Sequence, residues 1–432
     1  MPGTSAGPDE PEREHPFRSD RRRASARITF GRRFTVAVAL LASAAAVAWT
    51  LWRPLDAAVT RLDTLWLALT VLTGTGALVA LLVARHAGRD DPLDRFERAA
   101  AQIASTAPME RLAGVCAMAA LADEWHAGRQ LCVDVLCGHL RMPYEPGDED
   151  GPRTTRTGSE KEVRRTVLDI IGRRLRVDPV PGRTWHEHRF DFSGAVLDAG
   201  DLSGARFVSG TFDFARVTFT GFVRFDRSEF LGGAVSFADT TFRDGVVTFN
   251  QARFHIPVPF TWADFIGSTV YFDDTEFVDG TMTFLGTEFS GGSISFTRAR
   301  FPAGSVAFPS TEFTGAAVSF DEARVDGGSI SFEHSRFAGG VVSFERSAFA
   351  GGPVSFRGTT FEDGTVSFRG ATFTDAWIAL DMVEFTGGTV DARTAGAGGD
   401  GDVVRLALAY PEDDGGLTRL HLPGTPDDRR DD

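Results

Sequence analysis

The stretch GGVVSFERSAFAGGPVSFRGTTF, Gly339–Phe361, shows the pattern that determines the fold. Phe344 and Phe349 lie five residues apart, and the next such pair begins seven residues after Phe349. The first position of each pair is occupied by Phe225, Phe237, Phe249, Phe260, Phe272, Phe284, Phe296, Phe308, Phe320, Phe332, Phe344, Phe356, Phe368 and Leu380, and the second by Phe230, Phe242, Phe254, Phe265, Phe277, Phe289, Phe301, Phe313, Val325, Phe337, Phe349, Phe361, Phe373 and Phe385. So strict a period predicts a solenoid, in which each unit buries its apolar face against the next.

Each unit combines a short step of five residues with a long step of seven. In the long step, Val342 and Phe344 are two positions apart and share one face of a strand, whereas Ser343 faces the other way. The glycines that open the long step supply a corner where φ can be positive. Twelve residues cannot enclose two phenylalanine side chains in one turn, so we expect two units in each coil. The period slips once, by one residue, between Phe254 and Phe260.

Ahead of these units the chain shows a five-residue period. The apolar positions are Phe192, Leu197, Leu202, Phe207, Phe212 and Val217, each later one preceded two residues earlier by Ala195, Gly200, Ala205, Gly210 or Ala215. The stretch SGAVLDAGDLSGARF, Ser193–Phe207, resembles the repeats of the pentapeptide-repeat family, and this resemblance covers residues 190–388. It implies a mainly β fold, a right-handed quadrilateral β-helix in which the central apolar residue and the small residue before it point inward.

The repeat separates inward positions from outward ones. We interpret the phenylalanines as a structural core ladder and not as a ligand site, represented by Phe237, Phe242, Phe284, Phe289, Phe344, Phe349, Phe356 and Phe361. The candidate outward binding face is a repeated hydroxyl position, occupied by Ser295, Ser319, Ser331, Ser343, Ser355 and Ser367. A flat row of hydroxyls can bind an ordered partner, a sugar or ice, and it is also the usual composition of a solvated strand.

Two apolar runs near the N-terminus, Phe34–Trp52 and Thr64–Ala84, contain no charged residue. Each is close to the ~20 residues that a helix needs to cross a bilayer, so we predict a transmembrane hairpin over residues 34–84. Residues 1–33, an expected disordered tail, hold an arginine cluster, which places both termini in the cytoplasm of a multi-pass plasma-membrane protein. A cleaved signal peptide is the alternative for the first run. Neither run has an ionisable residue, which favours an anchor over a channel.

A helical segment separates these runs from the repeats. Apolar stripes predict three short helices over residues 92–142, at Leu93, Phe96, Ala100 and Ile103, then Leu112, Val115, Ala119 and Ala122, then Leu131, Val135, Leu136 and Leu140. We expect a polar linker at 143–159 and an amphipathic helix at 160–176 that caps the solenoid. Residues 389–432 are expected to form the C-terminal cap and a disordered tail.

The helical segment also resembles a known group. The stretch ERLAGVCAMAAL, Glu110–Leu121, the later Val133–Leu136 and the stretch IGRRLR, Ile171–Arg176, are similar to a segment of actinobacterial membrane-anchored pentapeptide-repeat proteins. That family typically reads RLGGIYALERIA and then VEVL at these places. The resemblance implies a bacterial, membrane-anchored repeat protein.

Cysteine and histidine positions give no metal-binding pattern. The three cysteines, Cys116, Cys132 and Cys137, are an odd number in a long chain, which is typical of a reducing compartment. A zinc site from His126, Cys132, Cys137 and His139 matches no standard ligand spacing, and His186, Glu187 and His188 lack the spacing of a metalloprotease helix. We therefore expect no metal and no cofactor.

The charge of the chain and the catalytic motifs that its sequence lacks limit its possible functions. The net charge is −14, and residues 225–388 hold 21 acidic and 10 basic side chains. We find no nucleophile elbow, phosphate loop or placed carboxylate pair, so we expect no enzyme. The leading hypothesis is a scaffold that binds an unknown protein partner at the cytoplasmic face of the membrane. One alternative is an acidic DNA mimic that regulates a DNA-binding enzyme such as gyrase. The other is a mechanical spacer or strut that assembles into homo-oligomers through its ends. We do not expect the protein to bind nucleic acid directly.

Overall fold

The computed structural model describes residues 91–146, 155–392, 395–397, 405–407 and 420–421. This part of the chain is mainly β, a parallel β-solenoid of about eight turns preceded by helices. The predicted membrane spans and the basic tail lie outside the described residues. Within the described ranges, no helix combines the length and the apolar character that crossing a membrane requires.

The helices form a small bundle at the N-terminal end of the solenoid, which we call the helical cap. It consists of α1 (Pro92–Ile103), α2 (Pro108–Glu124), a 3-10 turn (His126–Gly128), α3 (Arg129–Leu140) and α4 (Thr155–Leu175). Proline begins α1 and α2, where its missing N–H costs no hydrogen bond. Helix α4 starts five residues earlier than predicted. In α3 the predicted stripe is wrong at Leu131, which is exposed, because the buried face carries Cys132, Val133, Leu136, Cys137 and Leu140.

Each coil of the solenoid has four sides, which the chain visits in the order side 1 to side 4. Side 1 contains β1 (Arg189–Asp191), β4 (Thr211–Asp213), β7 (Ala234–Ser236), β11 (Val258–Pro259), β15 (Thr281–Thr283), β19 (Ser305–Ala307), β23 (Ser329–Ser331), β27 (Val354–Ser355), β31 (Trp377–Ala379) and β35 (Arg405–Ala407). Side 2 contains β8 (Thr241–Arg243), β12 (Asp264–Ile266), β16 (Glu288–Phe289), β20 (Glu312–Phe313), β24 (Arg336–Phe337), β28 (Thr360–Phe361) and β32 (Glu384–Phe385).

Side 3 contains β9 (Val246–Thr248), β13 (Thr269–Tyr271), β17 (Ser293–Ser295), β21 (Ala317–Ser319), β25 (Val341–Ser343), β29 (Thr365–Ser367), β33 (Thr389–Asp391) and β36 (Leu420–His421). Side 4 contains β3 (Arg206–Phe207), β6 (Glu229–Phe230), β10 (Arg253–Phe254), β14 (Glu276–Phe277), β18 (Arg300–Phe301), β22 (Arg324–Val325), β26 (Ala348–Ala350), β30 (Thr372–Thr374) and β34 (Gly396–Ala397). Two longer strands, β2 (Val196–Asp201) and β5 (Thr218–Arg224), run from side 2 into side 3.

The strand register confirms that each coil contains two twelve-residue units. All strand pairs are parallel in the described part, and Glu288 pairs with Glu312, 24 residues later. The slip after Phe254 makes one coil shorter, so that Phe242 pairs with Phe265. Pairing also continues beyond residue 388, because β35 and β36 pair with β31 and β33. The parallel pairing therefore continues into residues 389–432.

The phenylalanines stack in four columns inside the coils. Neighbouring rings lie 4.5 Å apart between Phe242 and Phe265 and 4.9 Å apart between Phe289 and Phe313, measured between centroids. Val325 interrupts one column. The eight phenylalanines of the predicted core ladder are at most 1% exposed. Each buried ring contributes roughly 1.5–3 kcal/mol of transfer free energy, so the columns dominate the stability of the coils.

A buried hydroxyl often occupies the small position two residues before the second phenylalanine of a unit. It donates a hydrogen bond to a phenylalanine carbonyl of the preceding coil. The donors are Thr275, Thr287, Thr311, Ser335, Ser347 and Thr359, at oxygen–oxygen distances of 2.5–3.0 Å. Ser228 occupies the same position, but its buried Oγ has no hydrogen-bond partner among the described residues.

The two kinds of corner differ in their residues. Some glycine corners of the long step have positive φ, for example 80° at Gly340, whereas at Gly328 the φ is not positive and the glycine instead lies close to the backbone of the preceding coil. The other corner, two residues after the first phenylalanine of each unit, also has positive φ but often carries another residue, such as Trp262 at 58° or Arg298 at 58°. The left-handed region is unfavourable for residues with a Cβ, and the sequence pattern did not reveal this second corner.

The first coils show one departure from the predicted five-residue pattern. Ala215 is not buried, and Phe214 takes the inward position instead. Its ring stacks on Phe192 and Phe237 at 4.8 and 4.7 Å. The chain already takes seven residues between Phe207 and Phe214, so the twelve-residue geometry starts one coil earlier than the sequence indicated.

Helix α4 covers the open edge of the first coil, where strand backbone groups would otherwise lack partners. Asp169 accepts a hydrogen bond from the Asp201 amide at 2.9 Å, and Arg164 donates to the Val196 carbonyl at 3.1 Å. Gly200 makes this approach possible, because a Cβ there would lie 2.5 Å from Leu168 Cδ1. The helix therefore replaces the strand pairing that a preceding coil would provide.

Candidate binding surface

The six serines of the predicted binding face lie on two different sides. Strand pairing aligns Ser295, Ser319, Ser343 and Ser367 on side 3. Ser331 and Ser355 pair with each other on side 1. The serines therefore do not form one face, because successive twelve-residue units occupy alternate sides of the coil.

The serine hydroxyls are engaged in hydrogen bonds with neighbouring corners. Ser343 Oγ donates to Asp321 at 2.5 Å and accepts from the Glu345 amide at 3.4 Å. Ser355 Oγ likewise donates to Glu333 at 3.0 Å and accepts from the Arg357 amide, two residues later. Hydroxyls that bond to the amide two residues later stabilise turns, so these serines have a local structural role.

Side 4 carries outward charges that alternate in sign over five consecutive coils, from Arg206 to Arg300. The paired residues are Arg206, Glu229, Arg253, Glu276, Arg300 and Arg324. Arg206 lies 2.9 Å from Glu229, and Arg253 lies 3.1 Å from Glu276. An open groove of about 540 Å³ runs beside them, lined by four arginines, three carboxylates and Gln251. Because these exposed charges largely pair with each other, the groove has no strong preference for either sign.

Side 2 carries a different surface, with three carboxylates in consecutive coils. Asp264, Glu288 and Glu312 are aligned by the strand register. Arg336 ends this column and contacts both Glu312 and Glu362. Within the described residues, neither Asp264 nor Glu288 has an ion-pair partner, so part of the column remains available to an external cation.

Large apolar side chains border this column at one end. Trp262 is 61% exposed, and Ile266 and Leu285 are each 38% exposed. Trp262 and Ile266 flank Asp264 at alternate positions of one coil, and the Trp262 amide donates to the Leu285 carbonyl of the next coil at 2.8 Å. We call these three residues with Asp264 and Glu288 the Trp262 patch. Sequence reasoning missed it, because only the coil register places these residues side by side.

The DNA-mimic hypothesis requires a contiguous acidic stripe. On side 2 the acidic column ends at Arg336, and on side 4 arginines separate the acidic residues. Asp274, at a corner of side 4, pairs with Arg298 at 2.8 Å, and this contact lowers the pKa of the Asp274 carboxyl. Neither of these two sides therefore carries the long acidic stripe that the DNA-mimic hypothesis requires. The hypothesis stays a prediction.

The cysteines and histidines of the zinc hypothesis lie in the helical cap. Burial raises the pKa of Cys132 to about 11 and that of Cys137 to about 12, while Cys116 is exposed. His186 is fully buried, and its ring nitrogens contact the Arg206 and Val177 carbonyls at 2.8 and 2.9 Å. Among the described residues, no group of three or more histidine, cysteine or acidic side chains could hold a metal ion.

A scan against protein-family models, a search of curated proteins and a search of solved structures each found no match to this chain. The functional argument therefore rests on the repeat geometry and on the surfaces of its four sides.

Proposed function

We propose that this chain is a non-enzymatic scaffold for protein interactions, built as a right-handed four-sided solenoid of the pentapeptide-repeat type. The regular Phe spacing and the parallel pairing of each coil with the next support this assignment. A rigid stack of coils holds outward side chains at fixed separations of about 4.8 Å, which is the geometry that extended binding surfaces of repeat proteins use.

The observation that carries the proposal is the exposed aromatic and apolar surface on side 2. Trp262 lies outside the stacked core and remains 61% exposed. Large exposed aromatic side chains, tryptophan above all, are enriched at protein-binding surfaces. The solenoid core does not account for this surface.

The proposed location is the cytoplasmic face of a bacterial plasma membrane. The two apolar runs and the arginines before the first run support an anchor with both ends in the cytoplasm. Alkaline extraction of membranes tests this location, since an anchored protein stays in the pellet. Release into the supernatant would contradict the anchor without affecting the scaffold proposal.

Proximity labelling in cells tests the scaffold function. The full-length protein is compared with a Phe289→Ala, Phe313→Ala variant that loses two stacked rings. We expect partner proteins that are labelled by the wild type and lost with the variant at equal abundance of both chains. An unchanged set of labelled proteins would contradict a role for the folded solenoid. Inhibition of DNA supercoiling by the purified protein would instead favour the DNA-mimic alternative.

A further inference from the structure

The Trp262 patch combines an aromatic ring with unpaired carboxylates on an open sheet face. Trp262 occupies a corner position of side 2 that glycine occupies in other coils, at Gly286 and Gly358. The Trp262 ring lies against the Gly286 corner, because a Cβ built on that glycine would collide with the ring. The absence of a side chain at Gly286 therefore lets the indole lie along the next coil.

The charges around the indole are of one sign. Asp264 follows Trp262 by two residues and points outward from the same coil. Glu288 is the residue that the strand register places beside Asp264 in the next coil. Arg243 is the register partner of Ile266 and borders the patch at the end away from Trp262. A ligand that lies across Trp262 and Asp264 therefore meets an aromatic face and a carboxylate together.

We propose that the Trp262 patch binds an arginine-rich polypeptide segment of a partner protein. A guanidinium group stacks on an indole ring through a cation–π interaction and pairs with a carboxylate through two parallel hydrogen bonds. Asp264 and Glu288, about 4.8 Å apart along the strand-pairing direction, receive further cations of the same segment. Ile266 and Leu285 give apolar contact to the stems of the arginine side chains. This inference rests on the proposed scaffold function and names the chemistry of its partner.

The test measures binding of a fluorescein-labelled nona-arginine peptide to the full-length protein by fluorescence anisotropy. The informative variant is Trp262→Gly, because glycine suits the positive φ of this corner and removes only the ring. The matched control is Met382→Gly, which lies in the same corner column with φ of 57° and is 57% exposed. We expect Trp262→Gly to weaken binding about tenfold and Met382→Gly to leave it unchanged.

A second pair of variants tests the carboxylates. Asp264→Asn with Glu288→Gln removes both unpaired charges of the patch, whereas Glu384→Gln removes one charge from the same column near Met382. We expect the double variant to weaken binding several-fold and to reduce its salt dependence, and Glu384→Gln to have little effect. A nona-lysine peptide should bind less tightly than nona-arginine, because its ammonium groups cannot form bidentate pairs.

Equal losses in the patch variants and the controls would overturn the proposal, because they would indicate attraction to the net negative charge alone. Unchanged binding by Trp262→Gly would overturn it as well. Neither outcome affects the scaffold proposal, which fails only if proximity labelling finds no partner that depends on the folded solenoid. Circular dichroism of each variant verifies that a loss of binding does not come from unfolding.

Discussion

The helical cap and the solenoid coils bury polar groups by different means. In the cap, the guanidinium groups of Arg129 and Arg164 are at most 2% exposed and donate to backbone carbonyls. In the coils, most buried polar groups are hydroxyls, and several of them, such as Thr359, donate to the carbonyl of a phenylalanine one coil earlier. Burial lowers the pKa of both arginines, yet their guanidinium groups remain charged.

The difference follows from what each region must satisfy. Helix ends and the first strand edge leave several carbonyls without partners in irregular directions, and a long side chain with five donors can reach them. A coil that pairs with its neighbour leaves almost no backbone carbonyl without a partner. A short hydroxyl is therefore enough to bond to the few carbonyls that remain. The cap therefore depends on a few individual residues, whereas the coils depend on many equivalent ones.

The largest expected effect is on the stacked core. Phe289→Ala removes a ring that is fully buried between two others at 4.6 and 4.9 Å. We expect the free energy of unfolding to fall by about 3–5 kcal/mol, measured by urea denaturation followed by circular dichroism. Ser290→Ala, at the exposed neighbouring position, is the control and should change stability by less than about 0.5 kcal/mol. Similar losses in both would contradict a stacked core.

A somewhat smaller effect is expected in the cap. Arg164→Met keeps an unbranched apolar side chain but removes the donors to the His139, Leu140 and Val196 carbonyls. We expect a loss of about 2–4 kcal/mol because buried carbonyls remain without partners. Arg165→Met on the same helix is the matched control. Because Arg165 is half exposed, its substitution should change the free energy of unfolding by about 0.5 kcal/mol or less. A neutral Arg164→Met would show that the cap does not depend on this residue.

The buried hydroxyls allow a third comparison within the coils. Thr359→Val removes the hydrogen bond to the Phe332 carbonyl, 2.7 Å long, without changing the shape of the side chain. We expect a loss of about 1–2 kcal/mol. Ser228→Ala should be nearly neutral, because the Ser228 hydroxyl is buried without a partner in the described part of the chain. Thermal unfolding of both variants beside the wild type measures the difference, and the reverse order would refute the assigned role.

The smallest expected effect concerns pH and the cap. Glu160 lies 3.1 Å from His139 and 3.2 Å from Arg111, and Arg164 is also near. The contact with His139 is the main reason that the pKa of Glu160 lies below its usual 4.5. The stabilisation from Glu160 is therefore present above pH 4.5 and is lost as the pH falls through the lower folded-state pKa.

Glu160→Gln tests this expectation. The stability difference between wild type and Glu160→Gln should shrink as the pH falls below 4.5 and through the lower folded-state pKa of Glu160. Glu162→Gln is the control, because Glu162 lies on the exposed face of the same helix. A difference that grew below pH 4.5 would contradict the assignment.

Much of the solenoid could be predicted because its inward positions recur at fixed spacing. Phe344 and Val342 had to share a face, and glycine corners such as Gly340 were expected to allow positive φ. The corner at Trp262 could not be predicted, because its residues vary in type and only the backbone geometry unites them. The Trp262 patch was missed for a related reason, since Leu285 meets Trp262 only across coils.

From Phe225 onward the sequence alone determined which residues point inward, because alternation along a strand is local and the phenylalanine period repeats it in every unit. The tertiary structure alone decided which outward residues become neighbours. That choice depends on the number of residues in a whole coil, which brings Asp264 beside Glu288 and divides the six serines between two sides. The contacts of Arg164 with the first coil were likewise set by long-range packing, on which local periodicity carries no information.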